Sequence, residues 1–228
     1  MNRVLMFCGA AAVGKTSVIK HLISKLRESK QHISLCKIDC LYTEDGEIYR
    51  KLGVETRVGL SKDICPDHFL VSNIQELIEW SNDNNSDYLI VETAGLCNRC
   101  SPATKQTVSI YVLDCTISFS APKKLGPMLS TADVIVLTKG DMISQAEREV
   151  IRYNLMKINN TAQIFNIDGI YGNGISNLSR YIDSLEPVDT YEGDILRHSM
   201  PSGVCSYCVG EMRIGNAYQQ GVVEKIAL

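Results

Sequence analysis

One octapeptide constrains this chain more than any other stretch: Gly9-Ala10-Ala11-Ala12-Val13-Gly14-Lys15-Thr16. It matches G-x-x-x-x-G-K-[ST] without departure, and it lies between an apolar run, Val4–Cys8, and a helical pattern that opens at Thr16. In that context glycines let backbone N–H groups curl around phosphate oxygens, and the helix N-terminus behind them favours negative charge. The cradle is therefore assigned to residues Gly9 to Gly14 (Gly9, Ala10, Ala11, Ala12, Val13, Gly14), with Ser17 in the first helical turn behind them. Lys15 is expected to reach the β- and γ-phosphates, and the Thr16 hydroxyl to bind Mg²⁺. The competing reading, a glycine turn with a chance Lys-Thr, is opposed by the strand-loop-helix context.

The rest of the chain alternates strand and helix patterns. Strands are predicted at Val4–Cys8, Ile33–Ile38, Tyr88–Val91, Ser109–Leu113, Val134–Leu137 and Ala162–Ile167; helices at Thr16–Ser29, Phe69–Trp80, Ser144–Lys157 and Gly174–Leu185. This order implies an α/β fold, a P-loop NTPase with a mostly parallel sheet covered by helices on both faces. With 228 residues the chain has room for one full-sized domain. Residues 1–185 are assigned to it. Residues 186–228 carry prolines, glycines and charges and are expected to form a linker and a short Cys-containing C-terminal extension. No apolar run approaches the roughly 18–20 residues that span a bilayer, and the N-terminus lacks a signal-peptide pattern. A cytoplasmic protein is expected. A net charge of −3 argues against general nucleic-acid binding.

A second motif narrows the nucleotide. Thr138-Lys139-Gly140-Asp141 ends the strand Val134–Leu137 and fits [NT]-K-x-D. A carboxylate there accepts from both N1–H and the 2-amino group of guanine, which adenine cannot offer, while the lysine stem covers the base. A polar turn after a buried strand is the plainer reading. Asp39 and Glu92 also fall at strand ends, where open α/β sheets build their sites. Asp39 could hold Mg²⁺ through water or orient the attacking water; Glu92 could serve the metal, with Gly95 donating a backbone N–H to the γ-phosphate. Either acid could instead cap a helix.

With these residues named, the chain resembles the metal-delivery GTPases of the SIMIBI class: the urease accessory GTPase, the hydrogenase nickel-insertion GTPase and the cobalamin-synthesis W-type proteins. The middle of the chain is most similar to the urease branch, through Asp39 with Tyr42-Thr43-Glu44-Asp45, Gly53-Val54-Glu55-Thr56, Cys65-Pro66-Asp67-His68 and Lys124-Leu125-Gly126-Pro127. The resemblance implies GTP hydrolysis with Mg²⁺, nucleotide-driven homodimerisation, and carriage of metal to a metalloenzyme or its accessory protein. It departs where Cys-Pro-His becomes Cys-Pro-Asp-His, and in two cysteines after Gly95.

Nine cysteines are unusual without an export signal, and leave buried thiols, redox chemistry or metal. Cys97 and Cys100 follow Glu92-Thr93-Ala94-Gly95 directly, inside the expected γ-phosphate switch; Cys205 and Cys208 form a second pair. Doubled by a two-fold axis, or joined within one subunit, such pairs supply four thiolates, which suit zinc or an iron–sulfur cluster; nickel stays open beside them, since the departures from the family pattern keep the cargo from being copied from any one relative. Cys65 with His68 is a third candidate ligand set. Redox dithiols are the competing reading. Cys8, Cys36 and Cys115 are expected in the core, and His21 and His32 at the surface. The rival functions are an ATP-dependent small-molecule kinase, and a non-catalytic metal- or redox-sensing nucleotide-binding module.

Overall fold

The computed structural model describes residues 2–95, 101–198, 211–218 and 224–228. Seven strands there form one sheet: β1 (Arg3–Cys8), β2 (Ile33–Asp39), β3 (Glu55–Leu60), β4 (Tyr88–Glu92), β5 (Val108–Asp114), β6 (Val134–Thr138) and β7 (Gln163–Asn166). Their spatial order is β3-β2-β4-β1-β5-β6-β7, and every neighbouring pair is parallel. The central strands read as nearly continuous apolar runs because both faces of a parallel sheet are covered. The chain leaves β1 toward β2 on one side and later fills β5 on the other. The loop at the C-terminal end of β1 therefore lies at the switch point where such sheets bind ligands.

Alternate residues of each strand serve opposite faces. Leu5, Phe7, Leu35, Ile90, Ile110 and Val112 pack on α1 (Lys15–Glu28) and α7 (Ile175–Asp183). In α1, Val18, Ile19, Leu22, Ile23 and Leu26 are buried, as their spacing predicts. On the opposite face Val4, Met6, Cys36, Ile38 and Leu89 meet α3 (Pro66–Val71) and α4 (Ile74–Asp83). Cys8, Tyr111, Leu113 and Ile135 meet α5 (Gly126–Ser130) and α6 (Gln145–Met156). Ser144 opens α6 with a capping box to Glu147. The three core cysteines behave as small hydrophobes; burial pushes the thiols of Cys8 and Cys36 up to about 12 and that of Cys115 to about 11.

The structure corrects the sequence reading in four places. The single helix expected over Phe69–Trp80 is two, α3 and α4, broken at Ser72 and Asn73. The buried Asn73 amide donates to the Phe69 carbonyl (2.8 Å), so the side chain does what a continuing helix would have done with backbone. Secondly, α2 (Asp45–Lys51) and β3 escaped notice. α2 has only seven residues, and β3 is an edge strand whose outer positions are part-exposed, which blurs its periodicity. Thirdly, His21 is not free at the surface: its Nε2 lies 3.2 Å from the Gly169 carbonyl. Finally, residues expected to form a linker return to the body. Val188 bridges Asn2 and Leu196 bridges Thr104, while Tyr191, Leu196, Ile214 and Ile226 enter the core. Arg197 ties this return down, donating to the Thr104 and Thr107 carbonyls and to Asp133.

Candidate nucleotide and magnesium site

The loop after β1 leads straight into α1, whose first turn holds no acidic residue to neutralise its positive end. Lys15 is buried and curls back on the loop, its Nζ donating to the carbonyls of Gly9 (2.9 Å) and Ala10 (2.8 Å). Burial lowers its pKa, against the pull of Glu92. Beside it a cavity of about 350 Å³ is lined by Ala11, Ala12, Gly14, Thr16 and Ser17 of the loop and helix, and by Lys37, Asp39, Asp45 and Glu92. Gly95 closes on this loop from the end of β4. Its φ is +72°, and a Cβ there would lie 1.6 Å from the Gly9 carbonyl oxygen, so only glycine fits.

Residues of β2, β4 and α2 gather beside Thr16. Its hydroxyl donates to Glu92 Oε1 (2.9 Å) and approaches Asp45 Oδ2 (3.4 Å). Glu92, fully buried, takes its other oxygen to the Tyr49 hydroxyl of α2, which donates to Oε2 at 2.6 Å. Burial and the Glu92 charge push the Tyr49 hydroxyl far above its ordinary range, so it remains a donor. Lys37, buried inside β2, reaches Asp45 (3.0 Å), Glu92 (3.2 Å) and Asp39 (3.7 Å). Burial disfavours its charge, but Glu92 and Asp45 outweigh that and raise its pKa above the ordinary value. Asp39 also accepts the Cys40 N–H at 2.9 Å. Sequence reasoning found Asp39 and Glu92 but missed Lys37, Asp45 and Tyr49. The available signal was a lysine inside the strand pattern Ile33–Ile38, whose other residues are uncharged. The hydroxyl and carboxylates gathered here are hard oxygen donors, the chemistry Mg²⁺ takes. Thr16, Glu92, Asp45 and Asp39 therefore offer donors of the right kind for that ion, but the three carboxylates are not gathered so as to hold it without further ligands such as phosphate oxygens.

The Thr138-Lys139-Gly140-Asp141 stretch is fastened to the same loop. The buried Thr138 hydroxyl donates to the Val13 carbonyl (2.6 Å), and Lys139, at φ +53°, donates to Ala12 (3.0 Å) and pairs with Asp114. Asp141 is exposed beyond them and lines a neighbouring cavity with Gly140, Arg148, Asn166 and Asp168.

The thiol candidates fare differently. Cys65 precedes α3, with its Sγ 4.0 Å from Asp67. His68 is 4% exposed, and neither ring nitrogen has a hydrogen-bond partner. Burial, then the neighbouring Cys65, holds the Asp67 carboxyl well above the usual carboxylate range. Among the described residues no group of three or more His, Cys, Asp or Glu side chains is placed to hold a metal. Cys97, Cys100, Cys205 and Cys208 lie outside the described residues. No described helix is long and apolar enough to cross a membrane.

An uncharacterised protein of Methanocaldococcus jannaschii is 42% identical over 224 residues, covering 98% of this chain and 96% of its own. The urease accessory protein UreG of Aliarcobacter butzleri is 25% identical over 160 residues, covering 66% of this chain and 81% of its own. The crystal structure of HypB from Helicobacter pylori in complex with nickel superposes with a TM-score of 0.64 at 19% identity, covering 79% of this chain and 85% of that one. The hydrogenase maturation factor HypB of Archaeoglobus fulgidus gives the same TM-score and identity, covering 80% and 89%; both show the shared fold. The profile of the CobW/HypB/UreG nucleotide-binding domain matches residues 3–166, and the chain belongs to that family.

Proposed function

We propose that this protein is a GTP-hydrolysing metallochaperone, which dimerises on nucleotide and delivers a metal ion or cluster to a metalloenzyme during its maturation. One observation carries the nucleotide half: the guanine-type motif and the phosphate loop are hydrogen-bonded to one another, through Thr138 to Val13 and Lys139 to Ala12, within one site. The N–H groups of Gly9 to Gly14 would hold the phosphates and Lys15 would leave its loop carbonyls for their oxygens. Thr16 and Glu92, with Asp39 and Asp45, would hold magnesium, which when bound neutralises charge on the β- and γ-phosphates. Gly95, already against the loop, would sense the γ-phosphate. Support for the metal half comes from the family, from the similarity to urease accessory proteins, and from the thiol pairs, one of which begins two residues after Gly95 in the sequence. In this reading closure around the γ-phosphate brings the switch thiols of two subunits together, and hydrolysis parts them.

The test is a competition experiment followed by metal analysis. GTP is expected to displace a fluorescent guanine nucleotide at far lower concentration than ATP; equal displacement by ATP would favour a small-molecule kinase. Anaerobically prepared protein is then assayed for metal and labile sulfide in the apo, GDP and non-hydrolysable GTP states. Higher metal affinity in the triphosphate state, lost in Cys97→Ser, is the expected result. Identical stoichiometry and affinity in all three states would remove the coupling.

A further inference from the structure

The magnesium site described above already contains a cation. Lys37 sits on β2, paired on both sides by β3 and β4, and its Cα is the cross-strand partner of Glu92, so both side chains leave the sheet on the same face. The ammonium lies 3.0 Å from Asp45 and 3.2 Å from Glu92, and the two buried side chains are 5% and 1% exposed. The same Glu92 oxygen, Oε1, also accepts the Thr16 hydroxyl, and Oε2 is taken by Tyr49. A divalent ion seated between Thr16 and Glu92 would have to displace the ammonium from Oε1. It would receive few ligands in return, because Mg²⁺ needs a near-octahedral oxygen shell that these side chains do not complete. Phosphate oxygens supply the remainder, and they also give the displaced ammonium a new anionic partner.

We propose that Lys37 is a tethered counter-cation, which keeps Asp45 and Glu92 from holding a divalent metal until nucleotide phosphates arrive. Magnesium then enters with the triphosphate and not before it. The consequence matters in a protein that handles transition metals. An open carboxylate cluster would take nickel or zinc more tightly than magnesium by the ordinary affinity order. A lysine already in place keeps the hydrolytic site from competing for cargo. This role rests on the magnesium reading of Thr16 and Glu92.

The experiment measures Mn²⁺ bound to the full chain by electron paramagnetic resonance, counting only ions that excess Mg²⁺ displaces. Without nucleotide, Lys37→Met is expected to hold Mn²⁺ about tenfold or more tighter than the wild type, the scale of one close charge in a buried setting. Lys37→Arg, which keeps the charge, should behave as the wild type. With a non-hydrolysable GTP analogue both wild type and Lys37→Met should bind Mn²⁺. Equal nucleotide-free affinity in wild type and Lys37→Met, with nucleotide-dependent binding intact, overturns the tether alone. Absence of Mn²⁺ even with the analogue overturns the magnesium reading and the tether with it. Should Lys37→Met fail to fold, the wild type decides: Mg²⁺ alone should leave the melting temperature unchanged while Mg²⁺ with the analogue raises it. A rise with Mg²⁺ alone would refute the proposal.

Discussion

At the scale of single residues, the site shows how a departure from a commoner motif letter is absorbed. Asparagine is commoner where Thr138 stands, but the structural task there is to donate to the phosphate loop, and a hydroxyl reaching Val13 does that. Asp114, which no motif flagged, completes the arrangement by pairing with Lys139 and accepting from Thr116. Burial alone would raise its carboxyl, but the Lys139 ammonium and the Thr116 donors outweigh burial and hold it below the usual carboxylate range. An acid whose pKa is depressed on folding contributes stability above its ordinary value near 3.8, and loses it as pH falls through the folded value. Asp114→Asn should therefore cost about 1 kcal/mol near neutrality, discounted for the partly exposed ammonium. Thermal unfolding at a series of pH values should show the gap to the wild type closing only in acid below the ordinary carboxylate range. A gap that stays constant down to that range and beyond would exclude the ion pair as its source.

At the scale of elements, every described strand but β3, and the long helices α1 and α6, were legible because their apolar residues record which faces are covered. The unbroken burial of β1 from Val4 to Cys8 and the Val18-Ile19-Leu22-Ile23-Leu26 stripe of α1 are the clearest cases. The short α2 was not legible, yet it supplies Tyr49 and Asp45 to the site. A seven-residue helix gains little from its own hydrogen bonds and forms because its buried face is held. Tyr49 is that hold, joining α2 to the end of β4. Tyr49→Phe removes a donor to a buried charged oxygen and should destabilise the protein by about 1.5–3 kcal/mol in urea unfolding. Magnesium-nucleotide affinity should weaken as well, since Glu92 would then be less firmly oriented. Unchanged stability would mean that another donor takes the place of the hydroxyl.

At the scale of the whole molecule, the last residues are part of the body. Asn73, at the break between α3 and α4, accepts the Ile226 N–H (2.9 Å) and also donates toward the Glu224 carbonyl (3.3 Å). Ile226, Phe69 and Ile38 meet over Gly59 of β3, where a Cβ would approach each within 3.0 Å. The tail thus clasps the helix that carries Asp67 and His68. Asn73→Ala would leave several buried partners unsatisfied and should cost about 2–4 kcal/mol. Carboxypeptidase should then trim the C-terminus faster than in the wild type. Equal trimming would show that Ile226 docks without the amide.

The sequence by itself carried the G-x-x-x-x-G-K-[ST] and [NT]-K-x-D patterns and determined the alternation that makes a parallel α/β sheet and the core status of Cys8, Cys36 and Cys115. These are local: each depends on residue types at fixed spacing along a strand, a turn or a helix. Tertiary structure alone decided that Lys37 faces Glu92, that Asp45 and Tyr49 close on the same carboxylate, and that the tail returns to α3. The physical reason is that parallel strands have no contact through their own turns. Which residues stand opposite one another is set by the register of strands joined through distant crossovers, and a spacing along the chain carries no record of it.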